Sequence, residues 1–179
     1  MKKMFALLCT FGLLTIGCQS KKENSEKNDT AMVQNNTFST VTLNKLFVDE
    51  LGNNISFQNI LAQHKGSPIV VEIWASWCSD CIKGFPELKK LQAKYPKTAF
   101  VFISLDKSKE KWAEGVKKHQ LNGNHYYLNE KMSGEFGKSI DLDWIPRYIV
   151  VDAQGKIALK KAIVANDTLL IKTLDNLQP

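Results

Sequence analysis

Arginine is almost missing from this sequence. Of 24 basic residues among 179, only Arg147 is an arginine; the rest are lysines. Readers of nucleic-acid sequence lean on arginine forks and clustered basic patches, and neither is present. Cysteine is also scarce, at four residues. A chain this long buries a real core without disulfide staples. A structural zinc site needs four ligands, and no second Cys-x-x-Cys or Cys/His pair is there to supply them. The three histidines, His64, His119 and His125, are scattered and read as surface or structural residues. No internal repeat is visible.

What is present is an ordinary globular composition, 44% hydrophobic and 23% charged. The formal charge of +6 includes Lys2 and Lys3. Lysines elsewhere alternate with acids, as in KEKWAEGVKK, which describes a solvated surface.

Residues 1–18, MKKMFALLCTFGLLTIGC, have a basic start, an apolar run from Met4 to Ile16 and a small residue before Cys18. The run is short for a permanent membrane span and reads as a secretory signal. Its end resembles the lipobox of bacterial lipoproteins, although Thr15 stands where leucine is usual. The resemblance implies lipidation of Cys18; the plainer alternative is a signal peptide with an incidental cysteine. Residues 19–37, rich in Asn, Lys, Ser and Glu, bury too little to offset their ordering entropy and read as a flexible tether. The folded domain is expected over 38–179. With Cys9 lost in the signal and Cys18 lipidated, one cysteine pair remains.

Within that domain, STVTLNKLFVDELGNNISFQNI predicts two short strands around Gly52-Asn53-Asn54, and SFQNILAQH a short helix capped by Ser56. The β-branched run SPIVVEIWAS predicts a strand buried on both faces, followed by a helix from about Ser79 toward Tyr95 that Pro86 is expected to kink. TAFVFISLD is a second buried strand, SKEKWAEGVKKHQ a helix, NHYYLN a short strand and EKMSGEFGKSI a short helix. RYIVVDAQGKIALKKAIV turns back at Ala153-Gln154-Gly155, and NDTLLIKTLDNL closes the chain as an amphipathic helix capped by Asn166 or Asp167. The order implies an α/β sandwich, parallel in its first half and antiparallel in its second. In such sheets the site lies at the carboxyl end of the first central strand, where VVEIWASWCSDCIKGFP holds Cys78 and Cys81.

Cys78 at the start of that helix would turn its sulfur toward the unpaired amides of the first turn. Those amides and the macrodipole favour thiolate. Cys81, one turn later, can attack a mixed disulfide held on Cys78 and release it. A purely structural disulfide would close a tiny loop with little gain. The pair therefore reads as nucleophile and resolving thiol.

EIWASWCSDC, Pro86 within the helix, and WIPRYIVVDAQGKI together resemble the thioredoxin-like envelope thiol-disulfide oxidoreductases, over about residues 40–179. The resemblance implies a thioredoxin-like three-layer sandwich with a mixed central sheet and an N-terminal β-hairpin extension. It implies that Pro146 is cis and holds the Ile145 backbone beside the sulfurs for an extended substrate segment. Glu72, within an apolar strand, is costly to bury and should have a raised pKa. It matches the position of the family's buried acid, which suggests proton exchange with Cys81. Trp77 offers an exposed apolar lip to protein substrates, Trp74 belongs in the core, and Trp144 suits either place. Asp80 favours the helix start yet disfavours a thiolate on Cys78.

The function expected is an envelope oxidoreductase acting on protein disulfides or thiols, more as a reductase than an oxidase. It would be monomeric, lipid-anchored outside the cytoplasm (in the periplasm of a Gram-negative cell) and fed by a membrane electron donor. Its only cofactor would be its own dithiol, with no metal. The alternative is a thiolate copper-delivery module using both cysteines and His125. A thiol peroxidase is disfavoured because Ala75 stands where that chemistry places Thr or Ser.

Overall fold

A computed structural model describes residues 36–178, so Cys18, the signal and most of the tether lie outside the described residues. Among the described residues seven strands form one sheet in the order β2-β1-β5-β4-β3-β6-β7. They are β1 (Leu46–Asp49), β2 (Asn54–Ser56), β3 (Ile69–Trp74), β4 (Ala99–Ser104), β5 (Asn124–Tyr127), β6 (Arg147–Val151) and β7 (Ile157–Ala162). The helices are α1 (Thr40–Asn44), α2 (Phe57–Ala62), α3 (Ser79–Lys94), α4 (Lys109–His119), α5 (Glu135–Ser139) and α6 (Thr168–Leu177).

β3, β4 and β5 run parallel, whereas β6 joins β3 antiparallel and β7 joins β6 antiparallel. Every residue of β3 is buried, as its unbroken apolar run requires of a strand covered on both faces. The β1–β2 hairpin adds to the far edge by pairing β1 antiparallel to β5. Gly52 takes φ 86° in its turn, a left-handed conformation that suits glycine.

The two covering layers can be assigned from contacts. Trp74 meets Phe85 of α3 edge-on at 5.6 Å, and Phe85 in turn meets His119 of α4. Tyr95, capping α3, donates its hydroxyl to Asp175 of α6 at 2.7 Å. Thus α3 lies on one face with α4 and α6 on its flanks. Its buried residues Cys81, Phe85, Leu88 and Leu91 recur at helical spacing and give it an apolar inner stripe. Tyr127 stacks on Trp112 of α4 and pairs across strands with Val48. Strand alternation then turns Phe47 to the opposite face. There Phe47 meets Phe57 of α2 and Phe136 of α5, and Phe38 packs edge-on to Phe57 at 5.0 Å. The result is the expected three-layer sandwich.

One local expectation fails. Residues 40–44 form a helix, not part of the first strand. The β-branched run Thr-Val-Thr suggests extension, but Ser39 caps it by accepting from the Thr42 amide at 3.1 Å. Thr42 is buried, and its hydroxyl donates to Ser139 of α5 at 2.9 Å. Packing overrides weak propensity. The other caps fall as expected, with Ser56 on α2 and Asp167 on α6. α3 runs unbroken through Pro86.

Candidate active site

β3 delivers the chain to the sheet's carboxyl edge, and Ala75–Trp77 carries it into α3. Cys78 is the N-cap residue: its backbone carbonyl accepts from Ile82, and its sulfur accepts from the Cys81 amide at 3.1 Å. The sulfur thus faces the helix's unpaired amides. Cys78 and Cys81 are joined in a disulfide, with Cα atoms 5.3 Å apart. Cys81 is wholly buried and Cys78 is 6% exposed. The sequence suggests an open, ionised Cys78; in this oxidised state it is neither, because its sulfur is bonded and the loop before β6 leans on it.

That loop contains the cis Ile145–Pro146 peptide. The Ile145 carbonyl oxygen lies 3.5 Å from Cys78 Sγ. As a disulfide the sulfur carries no proton, so this contact becomes a hydrogen bond only in the thiol state. Trp77 and Trp144 both stand exposed, each beside a different groove. A groove of about 700 Å³ opens beside Trp77, walled by Leu105, Met132 and Leu142 with Lys107 and Lys131 at its margin. A smaller one, about 340 Å³, runs between Asp80, Lys83 and Glu87 of α3 and Trp144, Pro146 and Ile163.

Glu72 is 1% exposed on β3. Its cross-strand neighbour on β6 is Tyr148, whose hydroxyl donates to Oε1 at 3.1 Å. Oε2 is buried without a partner. Desolvation pushes the carboxyl up to about 8, opposed by the Tyr148 hydrogen bond. The same burial, with the neighbouring carboxylate, raises the Tyr148 phenol far above its ordinary value. Glu72 shares a strand face with Trp74, which α3 covers.

Three features escaped the sequence. Tyr148 is one; only strand register reveals it. Asp106, two residues past the end of β4, is another. It accepts from the Ser76 amide at 3.1 Å, the Ser76 hydroxyl at 2.7 Å and the Ser104 hydroxyl at 2.8 Å. It thereby ties the loop carrying Cys78 to the adjoining strand. The third is Arg147, fully buried and not on the lysine-rich surface. Its guanidinium donates to the Asp141 carbonyl at 3.3 Å and pairs with Asp143, holding the segment that leads to Trp144 and Pro146. A lone arginine opening an apolar strand was the available signal.

Among the described residues, no group of three or more His, Cys, Asp and Glu is gathered to hold a metal ion. His125 sits on β5, two strands from β3, stacked on Phe102 with Nε2 engaged by the Leu121 carbonyl. Burial lowers its pKa. The structure does not bring it together with the cysteines.

A family profile described as thioredoxin-like matches residues 66–157. The chain belongs to the thioredoxin-like family. It is 30% identical over 131 residues to the thiol:disulfide interchange protein DsbE of Haemophilus influenzae, covering 70% of this chain and 66% of that protein. It is 26% identical over 99 residues to the thiol-disulfide oxidoreductase ResA of Bacillus thuringiensis, covering 54% and 56%. The chain therefore spans between about half and two thirds of these curated relatives' length. A solved structure of a thiol-disulfide oxidoreductase from Bacteroides fragilis superposes with a TM-score of 0.62 at 26% identity, covering 75% of this chain and 96% of that one. This thioredoxin-like domain keeps the cysteine pair, the helix and the cis-proline loop in one place.

Proposed function

We propose that this protein is a thiol-disulfide oxidoreductase that exchanges disulfides with other proteins, acting as a reductase. One observation carries the proposal: a Cys78–Cys81 disulfide at the amino end of α3, beside cis-Pro146. Once reduced, Cys78 is the sulfur at the helix tip, where amides and macrodipole favour its thiolate. It attacks a substrate disulfide, forming a mixed disulfide and expelling one substrate thiolate. Cys81 then loses its proton and attacks Cys78 Sγ. The intermolecular S–S bond breaks, the second substrate sulfur leaves with the electron pair, and Cys78–Cys81 is reoxidised. An upstream donor dithiol, itself oxidised to a disulfide, returns two electrons and restores the pair.

Glu72, in this mechanism, takes the Cys81 proton. A carboxyl held near 8 by burial accepts and returns a proton at neutral pH, which an ordinary carboxyl does poorly. Trp77 and the apolar groove beside it, together with the Ile145 backbone, bind the substrate segment. Asp80 favours the reducing direction, since a negative charge beside Cys78 disfavours its thiolate and so the reduced form.

Cys18 anchors the domain through lipid outside the cytoplasm, and the domain acts as a monomer with no cofactor beyond its dithiol. The backbone is consistent with such an anchor. The Asn36 carbonyl accepts from the Ile157 amide at 2.6 Å, and Ile157 pairs with Val151 at the end of β6 remote from Pro146. Asn36, where the described residues begin, thus meets the sheet at the end opposite the disulfide. No helix among the described residues is long and apolar enough to cross one.

A redox titration of the full chain should give a reversible two-electron transition, and Cys81→Ser should accumulate mixed disulfides through Cys78. Failure of both would end the proposal.

A further inference from the structure

Glu72 has two carboxyl oxygens in different circumstances. Oε1 accepts from the Tyr148 hydroxyl at 3.1 Å, while Oε2 is buried with no partner. The pairing is built in by the antiparallel β3–β6 register, which sets Glu72 directly opposite Tyr148. Tyr148 is wholly buried, so water does not compete for its hydroxyl. The hydroxyl lies 3.9 Å from where a Cβ would stand on Gly84, one helical turn beyond Cys81 on the inner side of α3. The hydroxyl therefore fills the space between sheet and helix just past the resolving cysteine.

We infer that Tyr148 is the positioning residue for Glu72: it holds Oε1 and leaves Oε2 as the oxygen that exchanges a proton with Cys81. The inference rests on the proton-carrying role proposed above for Glu72. In the resolving step the Cys81 proton passes to Oε2, giving the neutral carboxylic acid. The sulfur's electron pair forms the bond to Cys78 Sγ, and the bond to the substrate sulfur breaks with its pair leaving on the substrate. When the disulfide is reopened by reductant, the same proton returns to the Cys81 thiolate. Because a phenol donates to a carboxylate more strongly than to a carboxylic acid, Tyr148 also limits how far burial raises the Glu72 titration. Tyr148 is the one titratable group whose hydrogen bonding or charge bears on Glu72 among the described residues. From β4 the facing neighbour is Phe102, which does not titrate. The buried residues of α3 are Cys81, Phe85, Leu88 and Leu91, of which only Cys81, once reduced, is ionisable; Asp80, Lys83 and Glu87 are more exposed.

The test uses the full-length chain. A mixed disulfide is formed between Cys78 and a thiol peptide, and its resolution by Cys81 is followed against pH in wild type, Tyr148→Phe, Glu72→Gln and the double variant. Wild type should show a rate that climbs to a midpoint near that of Glu72. In Tyr148→Phe the midpoint should rise by about one pH unit, which lowers the rate at pH 7 about tenfold. Glu72→Gln should remove that limb, and adding Tyr148→Phe should change nothing more. An unchanged or lower midpoint in Tyr148→Phe, with the limb still lost in Glu72→Gln, overturns the positioning inference alone. A limb that survives in Glu72→Gln overturns the proton-carrying role itself. Should Tyr148→Phe fail to fold, the infrared carboxyl band that disappears in Glu72→Gln decides. At pH 6 a frequency shifted by one accepted hydrogen bond supports the inference, and a free-carbonyl frequency overturns it.

Discussion

Two buried carboxyl groups, Glu72 on β3 and Asp106 just past the end of β4, differ in one respect. Asp106, 2% exposed, has its oxygens met by the Ser76 amide and hydroxyl and the Ser104 hydroxyl. Glu72, 1% exposed, has one donor for two oxygens. Burial is equal; hydrogen bonding is not. A carboxylate surrounded by donors acts as a fixed acceptor and ties loop to strand. A carboxyl left half unpaired in an apolar layer is one that can trade its charge for a proton. The same residue chemistry thus serves as a brace in one place and suits proton exchange in the other.

Removing the brace should have the largest effect. Asp106→Ala leaves three donors without their acceptor and should cost about 3 to 4 kcal/mol in chemical denaturation. If the loss is near zero, Asp106 is no brace and the contrast collapses.

Glu72 should reveal itself through pH. Its folded pKa, about 8, lies above the ordinary 4.5. Stability is therefore greatest below about 4.5, where the group is protonated in both folded and unfolded chains, and declines as pH rises toward about 8. Between pH 5 and 8, wild type should lose about 3 kcal/mol relative to Glu72→Gln, measured by urea denaturation at each pH. Parallel curves for the two proteins would show that burial does not raise the Glu72 carboxyl.

A smaller effect tests the brace from the other side of the loop. A Cβ on Gly115 of α4 would stand 2.8 Å from Ser76 Cβ and 3.2 Å from the Trp74 ring. Gly115→Ala should gain helix propensity yet lose about 1 to 2 kcal/mol net through this overlap, and should slow disulfide exchange by shifting the Cys78 loop. Thermal melts and an exchange assay together read both consequences; a stabilised variant with normal exchange would show the loop to be pliant.

The least change is expected at an exposed carboxylate. Asp80 has Lys83 at 3.7 Å and stands largely in water. Asp80→Asn should raise the reduction potential of the cysteine pair by about 10 mV, since an exposed helix-start charge acts weakly. A lowered potential would reverse the sign assigned to it.

Much of this site was legible beforehand because its parts are local. Cys78 and Cys81 sit one helical turn apart by spacing alone, and Pro86 and the apolar run of β3 bracket them. Glu72 stood out as a charge in that run, and WIPRYIV marked the loop before β6. The short helix α1 was missed because Thr40-Val41-Thr42 has strand-like propensity, and only the buried bond from Thr42 to Ser139 outweighs it.

Chain order and hydrophobic period were thus enough to determine an α/β sandwich, its parallel and antiparallel halves, and the place of the two sulfurs. These depend on repeats of two and 3.6 residues and on contacts close along the chain. Tertiary structure alone decided which carboxyl is satisfied and which is not. Tyr148 reaches Glu72 across 76 positions and Ser76 reaches Asp106 across 30, through strand register and loop closure. A hydrogen bond requires its atoms within about 3 Å, and no pattern of residue types along the chain specifies a distance between parts that far apart.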